Sequence, residues 1–145
     1  MSKRINIAQL EPEAYKALLG FEKYLADSKL QPIHKELIKI RASQINGCAF
    51  CLNMHTKEAR ALGETEQRIY LVSVWRDTAT LFTPEEKAIL ALTEEMTLIQ
   101  QHVSDTTYQN AAELFDKNYL AQLMMMIITI NSWNRFAIAT EMQIE

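Results

Sequence analysis

Residues 32–63 read PIHKELIKIRASQINGCAFCLNMHTKEARALG. Pro32 suits a first helical turn, and Ile33, Leu37, Ile40 and Ile45 recur at helical spacing until Asn46-Gly47 breaks the pattern. A helix is therefore predicted over about 32–45. A second helix is expected from Cys48 to Leu62, with Asn46 or Gly47 as its cap and Gly63 as the residue that ends it. If these two helices pack as an antiparallel pair, residues early in the first come beside residues late in the second.

The same periodicity continues on both sides. Glu11-Pro12-Glu13 opens a helix over about 11–27 that carries Tyr15, Leu18, Leu19, Phe21 and Leu25. Glu64-Thr65-Glu66-Gln67 begins a short helix bearing Ile69, Leu71 and Val72, and Trp75–Phe82 reads as a longer connection. Thr83-Pro84-Glu85-Glu86 combines an N-cap, a proline at the first helical position and a capping-box acid. From there Ala88, Leu90, Ala91, Leu92, Met96 and Ile99 keep the period, and Ser104–Phe115 and Asn118–Met142 give two more helices. No period-two strand pattern occurs. The expected fold class is all-α: a single-domain helical bundle of six to seven helices spanning residues 1–145.

Composition excludes several functions. The chain has 48% hydrophobic and 23% charged residues with three Gly and three Pro, the balance of a folded globular domain. Fifteen Lys and Arg against 18 Asp and Glu give a net charge of −3, and no basic run interleaves with aromatics, so no nucleic-acid partner is expected. The longest apolar stretch, Leu120–Ile130, is interrupted by Gln122 and Thr129 and falls short of the ~20 residues that span a bilayer. Met-Ser-Lys-Arg-Ile-Asn at the start is basic but has no apolar segment behind it, so no membrane role and a cytoplasmic location are expected. Seven Met leave room for a subunit interface, and Met124-Met125-Met126 reads as core or interface packing.

Both cysteines lie in one short stretch, Cys48-Ala49-Phe50-Cys51, a spacing that two scattered cysteines reach in about one arrangement in seventy. On a helix Cys48 and Cys51 are i,i+3 neighbours and Cys51 and His55 are i,i+4 neighbours, so a dithiol and an imidazole share one face. A free thiol is only about 3% thiolate at pH 7, and a helix start and a nearby imidazole both favour the thiolate. Glu36 on the preceding helix is placed to approach His55, orient it and relay a proton. That set permits thiolate attack on a peroxide, sulfenic acid formation and condensation to a disulfide. Two other readings stand beside it. The cysteines can be inert packing, or Cys48, Cys51, His55 and Glu36 can hold zinc; structural zinc more often uses Cys₃His or Cys₄, so no metal and no cofactor is assigned. His34 and His102 read as surface residues. Tyr24, Trp75, Trp133 and Asn134 are candidates to line a site near the dithiol, but such residues are more often core and are left out of the catalytic set.

Glu36, then Arg41-Ala42-Ser43-Gln44-Ile45-Asn46-Gly47-Cys48-Ala49-Phe50-Cys51, then Met54-His55-Thr56-Lys57-Glu58-Ala59-Arg60 form a highly specific block. Gly63-Glu64-Thr65-Glu66-Gln67-Arg68, Trp75-Arg76, Phe82-Thr83-Pro84-Glu85-Glu86 and Asn131-Ser132-Trp133-Asn134-Arg135 support it. With these the chain resembles, over nearly its whole length, the carboxymuconolactone decarboxylase superfamily in its alkylhydroperoxidase D-like branch.

The resemblance implies an all-helical fold assembled as a homo-oligomer, a trimer or hexamer. It also implies an antioxidant dithiol peroxidase or disulfide reductase that needs no metal, flavin or haem. By the same resemblance Cys51 is the peroxidatic thiol, Cys48 the resolving and reductant-facing thiol, His55 the base near Cys51, and Glu36 the relay carboxylate. The expected partners are a hydroperoxide substrate and a thioredoxin-like or lipoyl-protein reductant. Some relatives carry a histidine immediately before the second cysteine; Phe50 stands here, which implies a shorter relay or slower turnover. The alternatives are a redox-sensing or structural oligomer with a dithiol switch and a decarboxylase-like lyase. The decarboxylase branch lacks the paired cysteines, which disfavours the lyase.

Overall fold

A computed structural model describes residues 4–144. Of the basic start Met-Ser-Lys-Arg-Ile-Asn, the first three residues lie outside the described residues. Among the described residues eight α-helices follow one another: α1 Ile7–Leu10, α2 Pro12–Ala26, α3 Pro32–Asn46, α4 Ala49–Ala61, α5 Glu66–Leu71, α6 Pro84–Thr97, α7 Asp105–Leu114 and α8 Lys117–Ala139. Two 3₁₀ turns, Val72–Asp77 and Ile99–Gln101, join them, and no strand occurs among the described residues. The all-α single-domain expectation holds. The helix total exceeds six or seven because Asn6 caps a single-turn α1 too short to show a period. Part of the expected Trp75–Phe82 connection is a 3₁₀ turn that buries Val72 and Trp75, three residues apart on one face. No helix among the described residues is long and apolar enough to cross a membrane.

The break at Asn46-Gly47 is real, but its residues play other parts than expected. Gly47 adopts the left-handed conformation (φ 70°) that glycine reaches without steric cost. Its N–H donates to Gln44 O and that of Cys48 donates to Ser43 O, so the pair closes α3. Gly47 is thereby committed to ending α3, and the N-cap of α4 is Cys48. Gly63 ends α4 in the same manner, as expected, with φ 95° and the N–H groups of Gly63 and Glu64 donating to Arg60 O and Ala59 O.

Helix α3 is the central element, packed by α4, α6 and α8. Its Ile38 and Ala42 join Ile89, Leu92, Leu123, Met126, Ile127 and Ile130 in one core, while Leu37 and Ile40 join Ala59, Trp75, Phe82 and Leu90 in another. Met124 and Met125 pack at the edge of the first core, so the methionine run is packing material as expected. His34 is a correction. It is 6% exposed, and its Nδ1 lies 2.7 Å from the Tyr119 hydroxyl, which also accepts from Gln31 N–H at 3.0 Å. A histidine near the start of α3 faces inward because that helix is covered on several sides. His102 is exposed, as expected.

Buried polar groups lock α3 to its neighbours. Asn46 Nδ2 donates to Asn131 Oδ1 and Asn134 Oδ1, both at 2.9 Å, and Asn134 Nδ2 donates to Ser43 Oγ at 3.1 Å. Glu94 on α6 accepts from Arg41 Nε at 2.8 Å, from Trp75 Nε1 at 2.9 Å and from Arg76 Nη1. Burial raises the Glu94 carboxyl, and the donors Arg76, Trp75 and Arg41 outweigh it, so its pKa lies below the ordinary 4.5. Burial holds the His34 imidazole below its ordinary 6.5, against the opposing pull of Glu86 and Glu85.

These shifts share one sign. Below the ordinary pKa of each group the unfolded chain binds more protons than the folded one, so stability falls as pH falls. Chemical denaturation at stepped pH is expected to show the loss beginning below 6.5, from His34, and steepening below 4.5, from Glu94. A His34→Gln variant removes the first stage and leaves the second.

Candidate active site

The site grows from the α3–α4 turn. Because Gly47 ends α3, the next residue begins α4, and Cys48 occupies its N-cap with Cys51 N–H donating to Cys48 Sγ at 3.3 Å. One helical turn is the span a disulfide needs: the Cα atoms of Cys48 and Cys51 are 5.4 Å apart and the two sulfurs are bonded. The sulfurs have different surroundings. Cys48 takes the amide donor at the helix start, where a thiolate is favoured, and Cys51 lines a cavity. Both are buried, Cys48 at 2% exposure and Cys51 at 4%.

His55 stands one turn beyond Cys51 on α4. Its Nδ1 lies 2.8 Å from Glu58 Oε2 and 3.5 Å from Glu36 Oε2. The expected approach of Glu36 to His55 is therefore present across the helix pair, but the nearer carboxylate is Glu58, which the sequence reading did not single out. The His55-Glu58 spacing of i,i+3 on a helix was the signal for it. A carboxylate accepts, so Nδ1–H donates to Glu58 Oε2, and Nε2 is the ring nitrogen clear of both carboxylates. One N–H serves one acceptor well, and the shorter contact claims it. Glu36 Oε2 is thus buried without a hydrogen-bond partner, while Glu36 Oε1 accepts from Lys39 Nζ at 3.0 Å. Burial raises the Glu36 carboxyl, but His55 and the Lys39 ammonium outweigh it and hold its pKa below the ordinary value.

The cavity has a volume of about 400 Å³. Cys51, His55, Lys39, Glu22 and Glu58 line it together with the apolar Phe50, Met54, Tyr15, Leu19, Trp133 and Phe136. Tyr15, Trp133 and Phe136 lie at centroid separations of 5.6–5.8 Å, a mutually packed aromatic trio, and Trp133 Nε1 donates to Glu22 Oε1 at 2.8 Å. Phe50 gives this cavity a wall where a histidine would give it a second proton carrier. A larger hollow of about 610 Å³ lies between Arg4–Ala8 and the end of α8, but no thiol or histidine lines it. The chemistry therefore selects the smaller cavity.

Of the four residues weighed as site lining, Trp133 alone lines this cavity. Tyr24 faces a shallow groove with Phe21 and Met125, Trp75 binds Glu94, and Asn134 belongs to the α3–α8 polar ladder. Sequence reasoning missed Tyr15, Phe136 and Glu22, which come from helices far away in the chain. The zinc set of Cys48, Cys51, His55 and Glu36 is not brought together. The sulfurs are bonded to each other, and among the described residues the metal-capable oxygens and nitrogen that converge, all within 4.8 Å, belong to Glu36, His55 and Glu58.

Comparison with known proteins identifies the family and the fold. The sequence profile of the carboxymuconolactone decarboxylase family matches residues 12–95. The chain is 46% identical over 140 residues to the uncharacterized protein YdfG of Bacillus subtilis strain 168, covering 96% of this chain and 95% of that one. A crystal structure from Agrobacterium tumefaciens, described as a protein of unknown function and a candidate antioxidant defence protein AhpD, superposes with a TM-score of 0.94. It shares 38% identity and covers 100% of this chain and 99% of its own. The alkylhydroperoxidase AhpD core structure of an uncharacterized peroxidase-related protein from Ralstonia eutropha JMP134 has the same fold. Its TM-score is 0.81 at 18% identity, over 95% of this chain and 74% of that one. This chain belongs to the carboxymuconolactone decarboxylase family and has its AhpD-like, all-helical fold.

Proposed function

We propose that this protein reduces hydroperoxides through Cys51 and a Cys48–Cys51 disulfide. One observation carries the reading: Cys51 and His55 line the same cavity, with Cys48 bonded to Cys51 behind it. Nε2 of His55, free of the carboxylates, is the nitrogen that takes the Cys51 proton, and Glu36 and Glu58 stabilise the imidazolium that results. The Cys51 thiolate attacks the outer peroxide oxygen. The O–O bond breaks, the alkoxide takes a proton and leaves as an alcohol, and Cys51 becomes a sulfenic acid. Cys48, favoured as a thiolate by its place at the helix start, attacks the Cys51 sulfur, and hydroxide leaves as water.

The cycle closes when a dithiol reductant, a thioredoxin-like or lipoyl protein, passes two electrons to the disulfide. Cys48 is 2% exposed, so exchange with a protein requires local opening of the first turn of α4. The reading includes a cytoplasmic location and assembly as a trimer or hexamer. Exposed apolar side chains at Phe21, Tyr24 and Ile128, on α2 and α8, support the assembly. The apolar walls and Phe50 in place of a second proton carrier support slower turnover than in relatives with a histidine there.

The test is thiol titration by mass spectrometry after one equivalent of peroxide, followed by peroxide consumption with an added dithiol. One Cys48–Cys51 disulfide per chain with continued turnover is the expected result. Slow oxidation without turnover would remove the peroxidase reading and favour a redox sensor.

A further inference from the structure

Two carboxylates flank one imidazole nitrogen, and only one proton is available there to satisfy them. Glu58 takes it at 2.8 Å, and Glu36 Oε2, on a side chain 7% exposed, faces the same nitrogen at 3.5 Å with no hydrogen-bond donor. A buried anionic oxygen left in this way costs free energy unless a cation meets it. Lys39 does not fill the need, since its ammonium binds the other oxygen, Oε1. Glu36 and Glu58 set two carboxylates against the one ammonium of Lys39.

We infer that Glu36, His55 and Glu58 form a binding site for one divalent cation of the zinc class. The geometry fits the ion. Ligands at roughly 2.1 Å from zinc stand about 3.4 Å apart in a tetrahedron, and the donor pairs on His55 are at 2.8 and 3.5 Å, with all three donors inside 4.8 Å. Helical bundles hold metals with an i,i+3 pair of Glu and His on one helix and carboxylates from neighbouring helices, and His55 and Glu58 give that pair in the reverse order. The cavity at His55 and Glu58 leaves room for water as a further ligand. Neither sulfur takes part, so the site differs from one built on the cysteines.

Binding moves a proton. With the imidazole neutral, the ion takes the Nδ1 lone pair and the ring's one proton passes to Nε2, a change of tautomer with no net proton released. This consequence rests on the functional reading above: with Nε2 protonated, His55 no longer accepts the proton of Cys51, and the cation silences the base.

The test uses the full, tag-free chain in its disulfide form, so that no thiol can bind metal and no peroxide chemistry enters. Isothermal titration with Zn²⁺ is expected to give one ion per chain. ¹⁵N spectra of the imidazole should show the His55 proton moving from Nδ1 to Nε2. Glu58→Gln, at an exposed position, and His55→Gln are each expected to weaken binding on the order of tenfold or more. No binding, binding unchanged in both variants, or binding that appears only after the disulfide is reduced would each overturn the site. Because the oxidised protein consumes no peroxide, these results are independent of whether the peroxidase reading stands.

Discussion

Replacing Cys51 by serine is expected to lower peroxide consumption by about a thousandfold or more, because a serine hydroxyl at neutral pH supplies neither the charge nor the leaving chemistry of a thiolate. Replacing Cys48 gives a different signature. Cys51 still attacks, so one equivalent of peroxide is consumed, but no neighbouring sulfur resolves the sulfenic acid. Trapping with a sulfenate-specific reagent should then label Cys51 to near one per chain, and steady turnover should stop after that first event. The two variants assign the roles separately. Steady turnover in the Cys51 variant, or a label on Cys48 in the wild-type burst, would reverse or remove the assignment. The cavity argues for the stated order, since Cys51 lines it and Cys48 does not.

The largest effect on stability is expected at Glu94, outside the site. Its carboxylate serves Arg41 from α3 and both Trp75 and Arg76 from the 3₁₀ turn after α5, so three segments meet on one group. Glu94→Ala leaves the buried indole N–H of Trp75 without an acceptor and the Arg41 guanidinium without its counter-ion. A loss of about 3 kcal/mol is expected from breaking one partner of such a buried network. Urea denaturation at pH 7 measures it, and a change within 0.5 kcal/mol, roughly the size of an ordinary surface substitution, would show that water replaces the carboxylate there.

The sequence made the helices legible where local chemistry repeats. Thr83 to Glu86 form the capping box that their spacing announces, with Thr83 Oγ1 and the Glu86 carboxylate each accepting from the other's backbone N–H. Cys48, Cys51 and His55 are local too, and their common face follows from the helical period alone. Less legible were groups whose partners lie far along the chain. Arg68 binds Glu64 within α5's approach, which spacing suggests, but also Glu86 at 2.7 Å and the ring of Phe82. Several residues that carried the family resemblance, among them Arg41, Trp75, Arg68, Glu86, Asn131 and Asn134, prove to be the members of these long-range polar locks. Their motif identified the family without saying what each residue does. The cap of α4 was misplaced for a related reason: one glycine can end a helix or begin the next, and the hydrogen bonds of Gly47 and Cys48 decide which. His34 was misread because periodicity reports the main apolar face of a helix, and α3 is covered on more than one.

That double coverage of α3 has a consequence for the reacting groups. A helix buried between two cores loses contacts on both sides at once if it moves, so it opens only when most of the domain does. Glu36 is carried by this helix, and the turn that launches the dithiol is tied to its end through Ser43 and Asn46. The first turn of α4 is joined to α3 by the Cys48 N–H on Ser43 O, so opening it breaks that bond and leaves the rest of α3 in place. Access for a bulky reductant and constancy of the proton path are thus assigned to different parts of the chain, one that yields and one that stays fixed.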